Sequence, residues 1–279
     1  MLKKTNIVIL GTGNLASHLA NFISHHPDLK LIQLFNHRKT KEALSLAKKN
    51  NCALISKYNQ IKAHADIYFI CVKDDSIKEV SENLKKLHLQ NLVVHTSGSV
   101  DLKELNKASE QIGVFYPLQT FSISDHIDWK TTPLLLEANT KTAFTKLQAF
   151  SKLVSTRLKQ VNSETRLNIH LAAVFGCNFT NALYAASYQL FEKALSKKEI
   201  ELLQPILKQS FDKMLTLGPL NAQTGPAKRN DKITMQKHLE LLKSTKKLTS
   251  IYKIVSELIQ TQQHVKLQRK IAKNKNISI

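Results

Sequence analysis

A glycine-rich turn near the start of the chain constrains its fold more than any other feature of the sequence. The apolar residues 6–10 have the length of a buried strand, and Gly11-Thr12-Gly13-Asn14-Leu15-Ala16 follows them with the spacing G-x-G-x-x-A before apolar residues recur at helical intervals. In this context the first glycine permits a tight turn, the second lets a pyrophosphate approach the backbone, and the final small residue lets the helix pack closely on the strand. The N–H groups of the helix N-terminus complete a phosphate site. The motif predicts that a dinucleotide is held by Gly11, Gly13, Asn14, Leu15 and Ala16. The alternative is a turn of the same shape that has lost its ligand.

Strands and helices alternate along the first half of the chain, which predicts a parallel sheet covered by helices on both faces. The predicted strands are residues 6–10, 29–35, 66–72, 92–95, 113–116 and 134–137, and the helices that follow the first one are 40–50, 76–87, 101–110 and 141–155. After residue 161 only long helices are predicted, at 165–194, 199–217 and 232–263, with Pro205 in a first turn or at a kink. We therefore predict an α/β chain with a Rossmann-type domain at residues 1–158 and an all-helical domain at residues 159–279.

The end of the second predicted strand distinguishes NADP from NAD. An acidic residue there would bond the ribose 2′-hydroxyl of NAD, but the sequence reads Asn36-His37-Arg38-Lys39-Thr40 and contains no acid before Glu42. Arg38 and Lys39 can pair with a 2′-phosphate, and the Arg38 guanidinium can stack on adenine. We therefore predict NADP in preference to NAD, with Asn36, Arg38 and Lys39 among the cofactor contacts. The alternative is that these bases are ordinary solvated residues of a lysine-rich chain.

The chain is strongly basic, which raises the question of a nucleic-acid partner. Lys and Arg number 41 against 21 Asp and Glu, so that the formal net charge is +20. Only five of the basic residues are arginine, and aromatic residues make up only 6% of the chain, whereas nucleic-acid binding relies on arginine forks and stacked aromatic rings. Nucleic acid is therefore disfavoured as a partner. Residues 263–279 are predicted to form a frayed, solvated tail.

Cysteine usage and hydropathy predict a cytoplasmic protein without a metal site or a membrane span. Cys52, Cys71 and Cys177 are far apart, and no pair has metal-ligand spacing. The uncharged stretch 167–191 is 25 residues long, but its Asn, His and Gln side chains would be costly in lipid. We predict that it forms a helix buried in protein.

Further motifs occur in order along nearly the whole chain and carry a family resemblance. They are Val72-Lys73-Asp74, His95-Thr96-Ser97-Gly98-Ser99, residues 115–121, residues 170–175 with Asn178-Phe179, and residues 224–227 with Arg229-x-Asp231. The opening motif, Asn36-x-Arg38 and Val72-Lys73-Asp74 resemble the pyrroline-5-carboxylate reductase and 6-phosphogluconate dehydrogenase-like superfamily. The other motifs resemble, within it, a bacterial Rossmann-like family with a DUF2520 domain. The resemblance implies an NADP oxidoreductase, adds Val72, Lys73 and Asp74 to the cofactor contacts, and leaves open whether F420 or another compound exchanges the hydride.

Two loops at strand ends carry further candidates. The resemblance places the loop after His95 beside the nicotinamide, where Ser97 and Gly98 can offer a hydroxyl and a backbone N–H. The alternative is that Ser97 only shapes the turn, and His95 itself is predicted to be structural. Tyr116 stands where prephenate dehydrogenase-like relatives carry histidine, and because tyrosine is a poor base at neutral pH, prephenate-type chemistry is disfavoured. Gln119 is a candidate substrate contact.

The helix that begins near residue 165 carries the strongest proton donor or acceptor. His170, Val174, Asn178 and Asn181 recur at three- and four-residue steps and so lie near one face. Related hydroxyacid dehydrogenases carry a catalytic lysine and a following asparagine on the comparable helix, but no lysine lies between Lys159 and Lys193. Alcohol oxidation by that route is therefore disfavoured. His170 is predicted to be catalytic, with Asn178 beside it; the alternatives for His170 are a buried, hydrogen-bonded histidine or a dimer-interface residue.

The turn at residues 224–231, between two predicted helices, is a further candidate substrate site. Pyrroline-5-carboxylate reductase carries a Gly/Thr-rich motif near the corresponding position that contacts the substrate carboxylate. By that likeness Thr224 and Arg229 would hold an anionic group. The alternative is a helix-capping turn with an Arg229–Asp231 pair.

The sequence as a whole predicts an oxidoreductase that transfers a hydride between NADPH and a small C=O or C=N compound at the domain cleft. His170, Ser97 and Tyr116 would manage the proton, with Asn178 in the cleft. The apolar helices of the second domain predict a homodimer. The alternative from a different class is a dinucleotide-binding sensor without turnover, which the missing lysine supports. A nucleic-acid binder is the third reading.

Overall fold

The chain divides after Asn178 into two compact units. The computed structural model describes the backbone of residues 4–275 and the side chains of residues 4–265. This division lies C-terminal to the predicted boundary at 158/159, because the helix Ser163–Ala173 belongs to the first unit. That residues 1–158 and 159–279 are separate domains stays a prediction.

The first unit is built on an eight-stranded sheet with the order β3-β2-β1-β4-β5-β6-β7-β8. The strands are β1 Thr5–Leu10, β2 Leu29–Phe35, β3 Ala53–Ile55, β4 Ile67–Ile70, β5 Leu92–His95, β6 Ile112–Pro117, β7 Leu134–Ala138 and β8 Leu158–Gln160. Neighbouring strands are parallel except β6 and β7, which are antiparallel. The predicted α/β class, with an N-terminal Rossmann-type sheet and a helical C-terminal region, is confirmed.

Five helices accompany this sheet, and they cover both of its faces. They are α1 Asn14–His25, α2 Lys41–Lys49, α3 Ile77–Lys85, α4 Lys141–Val154 and α5 Ser163–Ala173. Along β1, Ile7 and Ile9 pack with α1 and α4, whereas Val8 and Leu10 pack with α3. Because alternate side chains of one strand are buried on opposite faces, both faces are removed from water, as a parallel sheet requires.

The second unit consists of helices. A π-helical segment at Val174–Phe179 leads from α5, and the helices that follow are α6 Thr180–Ala194, α7 Gln204–Leu217, α8 Pro219–Ala222, α9 Pro226–Arg229, α10 Lys232–Leu241 and α11 Lys246–Lys275. Pro205 lies in the first turn of α7, where a missing N–H costs no helical hydrogen bond. None of the helices in the described part of the chain combines the length and the hydropathy that a bilayer crossing requires.

Several predicted extents are wrong, and local hydrogen bonds explain the differences. The helix predicted at 101–110 is a 3-10 turn at Leu102–Leu105, since Asp101 caps it and the chain must turn back to begin β6. The helix predicted at 232–263 is broken into α10 and α11, because Leu242 is buried at a turn that the Thr245 N–H closes on its carbonyl. β3 and β8 have three residues each, too few for a periodic pattern.

The predicted tail at 263–279 is also corrected. Helix α11 continues to Lys275, and residues 263–275 contain neither glycine nor proline to end it. The remainder of the predicted tail, residues 276–279, lies outside the described residues.

Candidate active site

Four of the motifs that the sequence predicts for the site lie in loops at one edge of the sheet. β1, β2, β4, β5 and β6 run parallel, so their carboxyl ends share that edge. The turn after β1, the basic loop after β2, the Val72–Asp74 motif after β4 and the Ser97–Gly98 loop after β5 therefore lie there together. Ligands of open α/β sheets bind at this edge.

The glycine turn has the geometry that its sequence predicts. Gly11 has φ +114°, and a Cβ there would lie 2.2 Å from the carbonyl oxygen of Cys71, so no other residue fits without strain. Gly13 caps α1, and a Cβ there would meet nothing within 4 Å, which leaves the helix N-terminus accessible. Ala16 is buried between α1 and the sheet. These residues fit a pyrophosphate at the N-terminus of α1.

A loop that sequence analysis did not connect with this turn packs against it. The Asn14 side-chain amide donates to the carbonyl of Phe121 at 2.8 Å, and His18 Nε2 lies 2.8 Å from the carbonyl oxygen of Ser122. The Phe121 and His18 rings are 5.8 Å apart. Asn14 therefore joins the turn to the loop after β6, in addition to any contact with a cofactor.

The loop after β2 presents its bases to solvent. Asn36 donates from its side chain to the carbonyl of Arg38 at 2.7 Å, which shapes the turn, and Arg38 and Lys39 are both exposed. Tyr58 stacks on Phe35 with ring centroids 4.6 Å apart and meets the ring of His37 edge-on. The contacts predicted for Asn36, Arg38 and Lys39 stay predictions, but both bases are accessible to a ligand.

The loop after β5 is fixed by its own hydrogen bonds. Ser97 Oγ accepts from the backbone N–H groups of Ser99 and Val100 at 3.0 and 3.1 Å, and Ser99 Oγ donates to the carboxylate of Asp74. His95 Nδ1 accepts from the Ser97 N–H at 3.2 Å. Burial, together with the nearby Arg166 charge, lowers the pKa of His95 to about 3, so its ring is neutral. Ser97 thus shapes the turn, which is the structural role given above as its alternative. A chemical role for Ser97 stays a prediction.

Tyr116 and His170 meet against Gly98. Tyr116 Oη and His170 Nδ1 are 2.9 Å apart, and the two rings lie edge to face with centroids separated by 5.8 Å. A Cβ on Gly98 would lie 2.7 Å from His170 Cγ and 2.9 Å from Tyr116 Cζ, so only glycine leaves room for both rings. The structure thus brings together residues from the β5 loop, from β6 and from α5.

The environment of Tyr116 keeps its hydroxyl protonated. Burial raises the pKa of Tyr116, and the charge of Asp74 acts in the same direction. The hydroxyl is therefore a hydrogen-bond donor near neutral pH. A neutral imidazole that accepts at Nδ1 carries its own proton on Nε2.

A cavity of about 590 Å³ opens in front of this pair. Among the predicted site residues, Leu15, Tyr116, Gln119, His170 and Asn178 line it. Thr120 and Val174, which the sequence places beside Gln119 and on the helix face of His170, line it as well. The lining residues that sequence analysis missed are Thr96, Pro117, Leu118, Phe121, Ser122, Ala173 and Cys177. None of these lining residues is Lys, Arg, Asp or Glu, so the walls carry apolar and polar groups without a carboxylate, ammonium or guanidinium. The four-residue spacing of His170, Val174 and Asn178 predicted that these side chains share one helix face, and that face lines the cavity.

Arg166 and Glu137 also escaped sequence analysis. They form an ion pair that does not line the cavity, and the Arg166 side chain has no exposed surface. One feature of the sequence could have indicated Arg166: it precedes His170 by four residues and therefore lies on the same helix face.

Thr224 and Arg229 lie in the second unit, on a turn that caps a helix. Asp231 accepts from the Thr234 N–H at 3.0 Å at the start of α10, and hydrogen bonds from Thr234 lower the pKa of Asp231, with the Arg229 charge acting in the same direction. This agrees with the capping alternative. Thr224 and Arg229 are exposed, and their contact with a substrate stays a prediction.

Comparison with known families identifies the two parts of the chain. Residues 6–98 match a family model described as NADP oxidoreductase, coenzyme F420-dependent. Residues 132–259 match a model described as a domain of unknown function, DUF2520. No curated protein matches the chain.

A solved structure from Bacteroides fragilis, described as a "putative NADP oxidoreductase", is 31% identical to this chain. The match covers 92% of this chain and 98% of that one, with a TM-score of 0.85. The chain belongs to this family of NADP oxidoreductases with a DUF2520 region. The resemblance drawn from the sequence is thereby confirmed.

More distant structures share the fold of this NADP oxidoreductase family member. An imine reductase from Myxococcus stipitatus, in complex with NADP+, is 16% identical with a TM-score of 0.61, and the match covers 94% of each chain. A pyrroline-5-carboxylate reductase from Coxiella burnetii is 20% identical with a TM-score of 0.56, covering 93% of this chain and 97% of that one.

The contact at Gly98 yields a direct prediction. Gly98→Ala should lower the free energy of unfolding by about 1–3 kcal/mol, because the added methyl group overlaps the rings of Tyr116 and His170. Gly176→Ala is the control, since a Cβ there meets nothing within 4 Å, and it should change stability by about 1 kcal/mol or less. Urea unfolding followed by circular dichroism measures both. Equal stability of the two variants would contradict the packing described for Gly98.

Proposed function

We propose that this protein is an oxidoreductase that transfers a hydride between NADPH and a small C=O or C=N compound bound in front of Tyr116 and His170. The observation that carries the proposal is that one cavity is lined by Leu15 of the dinucleotide turn and by the Tyr116–His170 pair. A cofactor held by that turn would therefore have its reactive end near a proton donor, at the edge where ligands of such sheets bind.

The residues of the chain have separate tasks in this proposal. Gly11, Gly13 and the N-terminus of α1 hold the pyrophosphate, and the loops after β4 and β5 approach the rest of the dinucleotide. The nicotinamide, when bound, supplies or accepts the hydride. With Tyr116 as the donor to His170 Nδ1, the ring carries its proton on Nε2. In the proposed step the Nε2 proton passes to the oxygen or nitrogen that gains electron density while the Tyr116 proton moves to Nδ1, and solvent then returns a proton to Tyr116. Asn178 and Gln119 line the same cavity as orienting contacts.

A lining without Lys or Arg favours reduction of an uncharged group over binding of a strong anion within the first unit. A buried carboxylate without a cation would be costly, and no Lys or Arg lines the cavity. Thr224 and Arg229, in the second unit, are the proposed contacts for an anionic group of a substrate. The rival proposal, a sensor without turnover, has the same dinucleotide site and differs only in lacking chemistry at His170.

We also propose that NADP is preferred to NAD. The exposed Arg38 and Lys39 follow β2, and Glu42, the first acid after them, lies in the first turn of α2, where the Glu42 N–H and the Thr40 side chain lower its pKa. Cationic side chains at this position pair with a 2′-phosphate.

The cofactor assignment is tested by titrating NADPH and NADH while following nicotinamide fluorescence. Wild-type protein should bind NADPH more tightly, and Arg38→Asp should lower the ratio of the two affinities by about tenfold or more, because a carboxylate repels the 2′-phosphate. Lys30→Asp is the matched control: it makes the same charge change on β2 at the opposite edge of the sheet, and the ratio should stay unchanged.

Two outcomes of this titration would count against the proposal. An unchanged ratio in Arg38→Asp would contradict the role of Arg38, and a wild-type protein that binds neither dinucleotide would contradict the proposed function. Binding of NADPH without oxidation in the presence of a panel of ketones and cyclic imines would favour the sensor.

We propose, in addition, that the protein is a homodimer through its helical unit. From residue 179 to residue 265 the only buried apolar side chains are Ala227 and Leu242, whereas Leu202, Ile206 and Leu215 are each more than 60% exposed. So small a core does not offset the conformational entropy that a unit of this size loses on folding. The exposed apolar side chains must therefore be buried against another protein surface. A second copy of the chain supplies the same surface in return.

Light scattering after gel filtration tests this arrangement. The wild-type mass should be twice the 31.6 kDa of the chain. The variant Ile206→Asp/Leu215→Asp should elute as a monomer or unfold, because it places charges on the apolar surface of α7. Leu44→Asp, on an exposed apolar residue of the first unit, is the control and should remain dimeric. A monomeric wild type would overturn the proposal.

A further inference from the structure

We propose that Arg166 and Glu137 are positioning residues, which hold the Tyr116–His170 pair in the geometry that the reaction needs. The inference rests on the proposed function, since it assigns a role within the same site. Neither residue lines the cavity, so both would act through the residues that they hold.

The Arg166 guanidinium joins three segments of the first unit. One Nη pairs with the carboxylate of Glu137 near the end of β7, and the other donates to the carbonyl of Val100 in the loop after β5. The second Nη also lies 3.2 Å from Ser163 Oγ at the start of α5. Because a guanidinium is planar and its donors point in fixed directions, these contacts define an orientation as well as a distance.

Ser163 ties the same three segments together a second time. Its backbone N–H donates to Glu137 at 3.0 Å, and its hydroxyl lies 2.9 Å from the other carboxylate oxygen. The Leu102 N–H in turn donates to Ser163 Oγ at 3.1 Å. Helix α5 is therefore attached to β7 and to the β5 loop by a network in which Glu137 is the common acceptor.

This network determines where His170 lies. His170 follows Arg166 by one helical turn, and Gly98, against which its ring packs, precedes Val100 by two residues. Tyr116 is on β6, which pairs with the strand that carries Glu137. A shift of α5 or of the β5 loop therefore changes the 2.9 Å separation between Tyr116 Oη and His170 Nδ1. Hydrogen bonds weaken steeply with such misalignment.

A role limited to stability makes a different prediction. Replacing a buried ion pair with uncharged residues of similar size is often neutral for stability, whereas removing one partner alone is destabilising. If the pair only held the fold together, a folded variant without the charges would keep His170 where it is. If the pair positions His170, such a variant would fold and yet lose the contact with Tyr116.

The test is the variant Arg166→Met/Glu137→Gln, in which glutamine keeps an acceptor for Ser163. Folding is monitored by circular dichroism, and the ring ¹⁵N signals of His170, assigned by their loss in His170→Asn, are measured by NMR. Tyr116→Phe is the reference, since it removes the hydroxyl and leaves the rest of the pair. We expect the His170 signals of the double variant to move from the wild-type position to that of Tyr116→Phe. Wild-type signals in the folded double variant would overturn the proposal.

A second variant covers failure of the double variant to fold. Ser163→Ala removes one hydroxyl from the network, and a displacement of the His170 signals in the same direction supports the proposal, whereas no displacement contradicts it. NADPH affinity should remain within about twofold of wild type, and any turnover should fall about tenfold or more, as expected when a reacting group is misplaced.

The NMR comparison requires no cofactor, so the positioning role and the proposed function are tested separately. Absence of NADPH binding in wild type would count against the function alone.

Discussion

The contact of two rings with Gly98 is the constraint on which the site depends. Tyr116 on β6 and His170 on α5 can form their 2.9 Å contact only because the residue between them, in the loop after β5, has no side chain. Three segments that are distant in sequence thus meet at one point at the carboxyl edge of the sheet. The same edge carries the glycine turn after β1, so the parallel arrangement brings the proposed phosphate site and the proposed proton donor into one unit.

Charge is distributed in a way that separates the site from the basic surface of the protein. The cavity lining contains no carboxylate, ammonium or guanidinium, and the ion pair of Arg166 with Glu137 lies outside that lining, with the Arg166 side chain fully buried. The raised pKa of Tyr116 follows from burial and from Asp74, not from the lysine excess. Of the basic residues, Arg38, Lys39 and Lys73 are proposed to contact the cofactor and Arg229 an anionic group of a substrate, and the net charge of +20 does not otherwise enter the proposed chemistry.

The sequence predicted those parts of the fold whose signals are local. The G-x-G-x-x-A turn, the buried strands and the helical face with His170 and Asn178 are each readable within a few residues. Other features are tertiary contacts between segments far apart in sequence, so no local pattern predicts them. They are the contact of Tyr116 with His170, the packing of Phe121 on α1 and the Arg166–Glu137 ion pair. Strands of three residues and the break before α11 were missed because a turn or a pairing partner, not periodicity, defines them.

The central claim is that the nicotinamide binds in front of Tyr116 and His170. It is tested most directly by recording the His170 ring ¹⁵N signals during titration with NADPH and, separately, with 2′-phospho-ADP-ribose, which lacks the nicotinamide ring. Both ligands contain the groups proposed to contact the glycine turn and Arg38. The account predicts that both bind and that only NADPH shifts the His170 signals. Equal shifts with the two ligands, or binding of NADPH without any shift at His170, would contradict it.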